Sequence, residues 1–348
     1  MKILVYEHIT SGALCAEPLP ISLAREGNAM LQALLNDLAG IREVQSVILR
    51  DFRLDIPLNI HIHHCHYIRN LNEFRYRWLA CLDYVDAVLP IAPETNGLLA
   101  EIQARVLKAG KRLLGCRPEA TAIATSKSRT AKYLAAAGLA TAPTIWLRDW
   151  QPDNSIEGTL ICKPDDGAGC TDVLYFENAT TLNTWKQKKP PEVWENWIVQ
   201  PYFQGVATSL CLLCGEAEAR LLCGNQQQIQ IKDGVMHLNG ITVNSMAQQR
   251  LNHKALQEIA DTIANALPGL WGFVGVDLIL SLQPLVLEIN PRLTTSYIGL
   301  REAYGINPAT WLLTLLNKGI KAVKLPPNPG HKITVSVEKG ALIHAIDH

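Results

Sequence analysis

Along the first third of the chain, apolar positions switch repeatedly between two periods. The run "KILVYE" at residues 2–7 is short, apolar and β-branched enough to read as a buried strand, and "SVILRD" (46–51) and "DAVLPIA" (86–92) repeat it. Between the first two lies "ISLAREGNAMLQALLNDLA", 21–39, where Ala24, Leu31, Leu34, Leu35 and Leu38 fall on one helical stripe and Gly40 supplies a stop. A second helix is expected over about 96–109, closed by Gly110 and followed by a short strand in "KRLLGC". Strands alternating with helices predict a parallel sheet with crossovers, and this first α/β lobe should end near residue 118.

Beyond that point the texture becomes α+β. A helix, "SKSRTAKYLAAAGL" (126–139), leads into short strands at "TIWL", "TLICKP", "VLYF" and "WIVQPYF", with one helix near 179–187. From 206 to 290 hairpin-like strands dominate, with a helix at about 251–266. A helix at 308–317, the turn "LPPNPG" and a strand in "KITVSVEKGALI" follow. Three units are expected, at 1–118, 119–203 and 204–348.

One strand breaks its own pattern. "LVLEINPRLTTSY" (285–297) starts as a buried strand but carries Glu288 and Asn290 opposite in phase to Leu285, Leu287 and Ile289. Upstream lies "WGFVGVDLIL" (271–280), joined to it by "SLQP". A four-residue hairpin loop sets Leu280 against Leu285, which puts Asp277 opposite Glu288 and Gly275 opposite Asn290. Opposed residues have Cβ atoms about 5 Å apart, so two carboxylates there need a cation or a shared proton. Mg²⁺ suits such a pair, because it takes one or two carboxylates with phosphate oxygens and waters. Gly275 would leave room for a ligand. On the repulsion alone, neutralising Glu288 should slightly stabilise the metal-free protein.

A second motif is "TLICKPDDGAGCTDVLYF" (159–176), in which an apolar strand delivers Lys163 and Pro164 ends its pairing. The loop that follows can wrap phosphate oxygens with backbone N–H groups while Lys163 supplies a point charge. It is not a P-loop, since the lysine precedes the glycines and a strand follows. Lys127 opens the helix at 126–139, where a cation is disfavoured unless an anion lies between it and the free N–H groups. In "WIVQPYFQG", Pro201 removes a ladder donor, so nearby backbone groups could meet a planar base edge.

Composition narrows the class. The 348 residues suffice for two or three lobes with cores, and 48% hydrophobic with 18% charged residues is ordinary for a soluble chain. Lys+Arg and Asp+Glu balance at 32 each, which leaves no global field for nucleic acid or anionic lipid. No apolar run approaches the roughly 20 residues of a membrane span. "MKILVYEH" reads as a first strand rather than a signal peptide. Cys162, Cys211 and Cys223 lie in apolar runs as reduced core thiols, and Cys211 and Cys214, three apart on a strand, should point to opposite faces. The expected location is cytoplasmic. "HIHHCH" (61–66) has metal-binding residue types but no second cluster to complete a site. Trp185, Trp194 and Trp197 could pack together or touch a ligand-covering loop.

Lysine on a helix, then strand–Lys163–Gly loop–strand, then a Pro-interrupted strand, then the acidic hairpin and Arg292: this order resembles the ATP-grasp superfamily of carboxylate–amine ligases over roughly 119–320. The resemblance implies an ATP-grasp fold behind an N-terminal Rossmann-like parallel-sheet domain, with 119–203 as the lid and 204–348 as the metal and nucleotide unit. It implies that Lys127 and Lys163 contact ATP phosphates, Gly167 and Gly169 belong to the lid loop, and Gln200, Pro201 and Tyr202 line the adenine pocket. Asp277, Glu288 and Asn290 would hold Mg²⁺, with Mn²⁺ an alternative, and Arg292 would face the γ-phosphate or an acyl phosphate. The sequence departs from the family in having Gln200 where the hinge commonly carries an acid, and only Thr208 and Ser209 where a ribose-binding acid is usual.

The implied reaction activates a carboxylate with ATP as an acyl phosphate, which an amine then attacks. A small-molecule kinase and a non-catalytic nucleotide-binding module are the alternatives on the same fold. "VYEHITSG", "LAREGNAMLQALLNDL" and "LLCGNQQQI" resemble the branch of the superfamily that joins glutamate to a phenolic amine such as tyramine in methanofuran-type cofactor synthesis. Glu7, His8 and Ser11, past the end of the first strand, are then candidates to contact the amine. A homo-oligomer is left open.

Overall fold

Five parallel strands form the first sheet, in the order His64–Ile68, Gln45–Asp51, Lys2–Glu7, Ala87–Ile91, Arg112–Leu113. This is a computed structural model; it describes residues 1–55, 58, 60, 62–152, 158–167, 170–246, 250–326 and 330–336, with only the backbone of 250–252. Ile3 and Val5 share a core with Met30, Leu31, Leu34 and Leu35 of the helix Ile21–Ala39. Leu4 and Tyr6 face the other way, onto Trp78 and Cys81 of the helix Leu71–Tyr84 and Leu99, Ile102 and Val106 of the helix Leu98–Lys108. Both faces are covered, which is why these strands read as continuous apolar runs rather than alternating ones.

The strand His64–Ile68 and the helix Leu71–Tyr84 escape the sequence pattern. That helix buries only Trp78, Cys81 and Leu82 and leaves Tyr76 at 68% and Leu79 at 62% exposure, so its apolar residues trace no clean stripe. The helix Pro118–Thr125, packed ahead of Lys127–Ala136, was likewise not expected.

The remaining strands form one antiparallel sheet of ten, ordered Leu285–Asn290, Gly272–Leu280, Val206–Gly215, Glu218–Lys232, Val235–Val243, Leu174–Phe176, Leu160–Pro164, Trp197–Pro201, Ile145–Trp146, with Ile333–Ser336 also on Val235–Val243. The Leu160–Pro164 end has its own small core of Leu147, Trp150, Leu160, Cys162, Leu182 and Val199, against which Trp185, Trp194 and Trp197 pack. It joins the rest through a single registered pair, Val235 with Leu174. One face of the larger part buries Leu210, Leu212 and Cys214 under the helix Arg250–Ala266; the other buries Cys211, Leu213 and Cys223 in the core shared with the first lobe. Cys211 and Cys214 therefore lie on opposite faces, as their spacing requires. Among the described residues no helix is long and apolar enough to cross a membrane.

Candidate active site

The acidic hairpin forms in the expected register where it matters and slips elsewhere. Asp277 pairs with Glu288 and Gly275 with Asn290, but Ile279, not Leu280, faces Leu285. A bulge between Asp277 and Leu278 absorbs the one-residue difference. Val286 thereby replaces Leu287 in the core, and Leu287 turns to the cavity with Ile279. Gly275 is required for a different reason than open space: a Cβ there would lie 2.7 Å from Cγ2 of Thr294.

The two carboxyls are in unlike environments. Asp277 accepts from Nε2 of Gln227 at 3.0 Å and Nδ2 of Asn290 at 3.1 Å. Burial, and then the charge of Glu288, push its carboxyl well up. Burial also pushes Glu288 up, but the ammonium groups of Lys127 and Lys163, 3.5 and 3.6 Å from its Oε2, outweigh it and hold the carboxyl low. Without a metal the pair thus shares one proton, held on the Asp277 side. Two opposed carboxylates with the Oδ1 of Asn290 fit a hard cation that completes its shell with phosphate oxygens and water. Among the described residues no three His, Cys, Asp or Glu side chains are placed as a dedicated cage.

Lys127 and Lys163 are 4% and 7% exposed and reach Glu288 from different elements. Burial lowers the pKa of Lys163, with Glu288 opposing it. Lys127 also donates to the carbonyl of Gly167 at 2.7 Å, linking its helix to the loop after Pro164. The anion at that helix start is the side chain of Asp165, which the sequence reading had placed only in the loop. It accepts from Ser128 N–H at 2.7 Å and Ser126 Oγ at 2.6 Å, so the helix N-terminus is satisfied by the protein itself. Gly167 lines the cavity; Gly169 lies outside the described residues.

Asp277, Glu288, Asn290, Lys127, Lys163 and Gly167 border one cavity, together with Gln200, Pro201, Tyr202 and Arg292. Its far end is apolar, with Ile161, Val173, Met236, Leu238, Ile279 and Leu287. Tyr202 N–H is committed to the carbonyl of Thr159 at 2.8 Å, so that amide is not the donor free to meet a base edge. The side chain of Gln200 donates to Thr144 Oγ1 at 2.9 Å. Ser209 borders the cavity opposite Asp277 in the strand register.

A second cavity shares Arg292, Glu26, Pro164, Gly167 and Thr171 with the first and runs to the C-terminal ends of the parallel strands. That end is where open α/β sheets place ligands. Arg292 pairs with Glu94 of the first lobe, Nε to Oε1 at 2.9 Å. Burial opposes its charge, yet Glu94 overrides this and keeps its pKa raised. Glu7 lines the second cavity and is 3% exposed; it accepts from Ile9 N–H, Thr10 N–H and Thr10 Oγ1. Burial pushes its carboxyl up to about 7, against the lowering by those hydrogen bonds. Gly27, in mid-helix, makes the space: a Cβ there would sit 2.6 Å from the Glu7 carboxyl.

His8 and Ser11 border neither cavity. His8 Nδ1 lies 2.9 Å from the hydroxyl of Tyr6, on the opposite side of the sheet from Glu7, and burial lowers its pKa to about 4. Ser11 donates to the carbonyl of His8 and accepts from Ala13 N–H, so it shapes the turn. Alternation past the strand end sends His8 to the face opposite Glu7, and the turn beyond it ties up Ser11, so neither residue reaches the cavities, which corrects the expectation for both. In the histidine tract, His63 accepts from Ser46 N–H and His64 lies 3.0 Å from the Tyr84 hydroxyl, while His61 is outside the described residues.

Glu26, Gly27, Glu94 and Gln227 were not singled out by sequence. A glycine inside the strong helix at 21–39 was the available signal for the first two, since such a glycine costs about 1 kcal/mol and marks a close approach. Glu94, just past a strand end, had only that position to recommend it.

Residues 124–296 match the ATP-grasp domain and residues 44–121 the pre ATP-grasp 3 domain. The chain belongs to the ATP-grasp family, with a pre-ATP-grasp domain ahead of the ATP-grasp domain. Among curated proteins it is 27% identical to tyramine–L-glutamate ligase of Methanocaldococcus fervens over 80% of this chain and 84% of the relative. It is 26% identical to the tyramine–L-glutamate ligase of Methanocaldococcus jannaschii, over 90% of this chain and 89% of that one. A crystal structure described as an ATP-grasp superfamily protein of Archaeoglobus fulgidus superposes with a TM-score of 0.70 at 22% identity, covering 97% of this chain and 92% of that one, which establishes the shared fold.

Proposed function

We propose that the chain is an ATP- and Mg²⁺-dependent carbon–nitrogen ligase that joins glutamate to tyramine or a related phenolic amine and releases ADP and phosphate. One observation carries this reading: Arg292 stands in the wall shared by a cavity holding two lysines and opposed carboxyls and a second cavity with acids and an apolar wall. The names of the two curated relatives support the substrate pair.

In this reading Lys127, Lys163, Gly167, Gln200, Pro201 and Tyr202 hold ATP, residues 119–203 form the lid, and Asp277, Glu288 and Asn290 hold the metal. Bound Mg²⁺ would neutralise charge on the phosphate oxygens. The γ-carboxylate of glutamate attacks the γ-phosphorus, the bond to the bridging oxygen breaks, and ADP leaves. Lys163 and Arg292 balance the charge on the transferring group. Glu7 takes one proton from the ammonium, the free amine attacks the acyl carbon, the carbon–oxygen bond to phosphate breaks, and the departing phosphate carries off the second amine proton.

Glutamate, tyramine, ATP and Mg²⁺ should yield glutamyl-tyramine, ADP and phosphate. Replacing the amine with hydroxylamine should yield a hydroxamate. AMP and pyrophosphate as products would refute the acyl-phosphate route, and ADP formation only with an unrelated acid would refute the substrate pair.

A further inference from the structure

Charge in the second cavity is one-sided. Among the described residues its charged lining is Glu7, Glu26, Asp172 and Arg292, and the guanidinium of Arg292 is already paired with Glu94. Among the described residues neither Glu7 nor Glu26 takes part in an ion pair. Among the described residues the buried carboxylate of Glu7 accepts only from neutral donors. Glu26 accepts from the hydroxyl of Thr295 with Oε1 and borders both cavities, so it stands where an amine would have to pass to reach an activated acyl group. The remaining wall is apolar, with Ile9, Leu23, Met30, Ile91, Ala92 and Pro93.

We infer that Glu26 and Glu7 make this cavity selective for an acceptor that carries a primary amine on an apolar body and no carboxylate beside the amine, with Glu26 holding the ammonium at the junction. The inference rests on the ligase reading above and assigns it an acceptor class. An α-amino acid bears its carboxylate on the same carbon as its nitrogen. Wherever that nitrogen meets Glu26, the carboxylate meets an acidic lining whose one cation is already paired, and like charges in a poorly solvated site repel strongly. The matching amine lacking the carboxylate presents only the ammonium and the ring. Its ring meets the apolar wall, and its charge meets its complement. Glu26 is a binding residue here and takes no part in bond making.

Three acceptors separate charge from shape: tyramine, tyrosine and tyrosine methyl ester, each with glutamate and Mg²⁺–ATP. The ester keeps the branch but not its charge. Tyramine and the ester should have kcat/KM values within about tenfold of each other, and tyrosine should fall roughly 100-fold or more below both. Glu26→Gln should raise KM for tyramine and narrow the tyramine-to-tyrosine ratio at least tenfold. Tyrosine accepted as well as tyramine would overturn the inference, as would rejection of the ester as strongly as of tyrosine, which would point to shape. So would a Glu26→Gln variant that changes KM for glutamate and leaves the acceptor ratio alone. Hydroxylamine trapping in the same samples keeps the two levels apart. Hydroxamate with the wrong acceptor order overturns the acceptor assignment alone, whereas no hydroxamate overturns the ligase reading and this assignment with it.

Discussion

Substituting Glu288 with Gln tests how the lysines and the acids share the site, and the structure reverses the sign expected from sequence. The opposition with Asp277 suggested that neutralising Glu288 would relieve repulsion. In the fold, Oε2 of Glu288 instead lies 3.5 Å from Nζ of Lys127 and 3.6 Å from Nζ of Lys163, both buried. At an effective dielectric near 20 each attraction is about 4 kcal/mol before desolvation, and removing one member of a buried ion pair costs about 3–5 kcal/mol. The Gln carbonyl can still accept one hydrogen bond, which returns about 1 kcal/mol. Repulsion from Asp277 offsets little below its pKa of about 7, because that carboxyl is then mostly protonated when no metal is bound. A net loss of about 2–4 kcal/mol follows, or a melting temperature lower by roughly 3–6 °C for a chain of 348 residues.

The assay is thermal unfolding with chelator at pH 6, where Glu288 is ionised and Asp277, with a pKa of about 7, still holds its proton. Asp277→Asn should stay within about 1 kcal/mol of the parent, since it replaces a protonated carboxyl with an isostere. Glu288 has a lowered carboxyl, so its contribution is present above the unfolded-chain pKa and is lost as pH falls towards the folded value. The gap between parent and Glu288→Gln should therefore close in acid. Equal or higher stability of Glu288→Gln at pH 6 would refute the ion-pair account. Both variants should lose ADP formation, and near-normal turnover in either would remove it from the proposed metal set.

Two further outcomes depend on Glu7. Gly27→Ala should lower both stability and turnover, because the new Cβ meets the Glu7 carboxyl at 2.6 Å; combined with Glu7→Ala the same change should instead stabilise by about 1 kcal/mol, and additive effects in the double variant would deny the contact. Turnover with amine should rise with pH until Glu7 is ionised, near its pKa of about 7, and Glu7→Gln should lose that limb with a drop of roughly 10²-fold or more; an unchanged profile would remove Glu7 as proton acceptor. The same raised pKa means that Glu7 lowers folding stability as pH climbs from about 4.5 through about 7, alongside Asp277, so Glu7→Gln should make that slope shallower in unfolding curves.

Periodicity and local chemistry were enough to determine the parts that repeat or that depend on near neighbours. The helix Ile21–Ala39 appears with its stripe buried, because an apolar face at helical spacing has one way to leave water. The opposition of Asp277 and Glu288 was legible because alternation on two linked strands permits few registers that bury both apolar sets. Lys163 at a strand end was visible for the same reason, since Pro164 marks where pairing must stop. The bulge that moves Leu287 out of the core was not visible, because either Val286 or Leu287 satisfies an apolar pattern and only packing against the helices Pro118–Thr125 and Lys127–Ala136 chooses.

What only the tertiary structure decided is where the charges end up. Arg292 meets Glu94 across 198 residues of chain, and Lys127 and Lys163 meet on one oxygen of Glu288, although no spacing rule relates them. Glu7 and His8 are adjacent in sequence but lie on opposite sides of a sheet, so one enters a cavity and the other joins Tyr6. Hydrophobic alternation constrains which face each residue occupies, whereas the partner of a buried charge depends on which elements pack together. Burial then amplifies the result, since a charge removed from water is stable only with whatever neighbour the packing supplies.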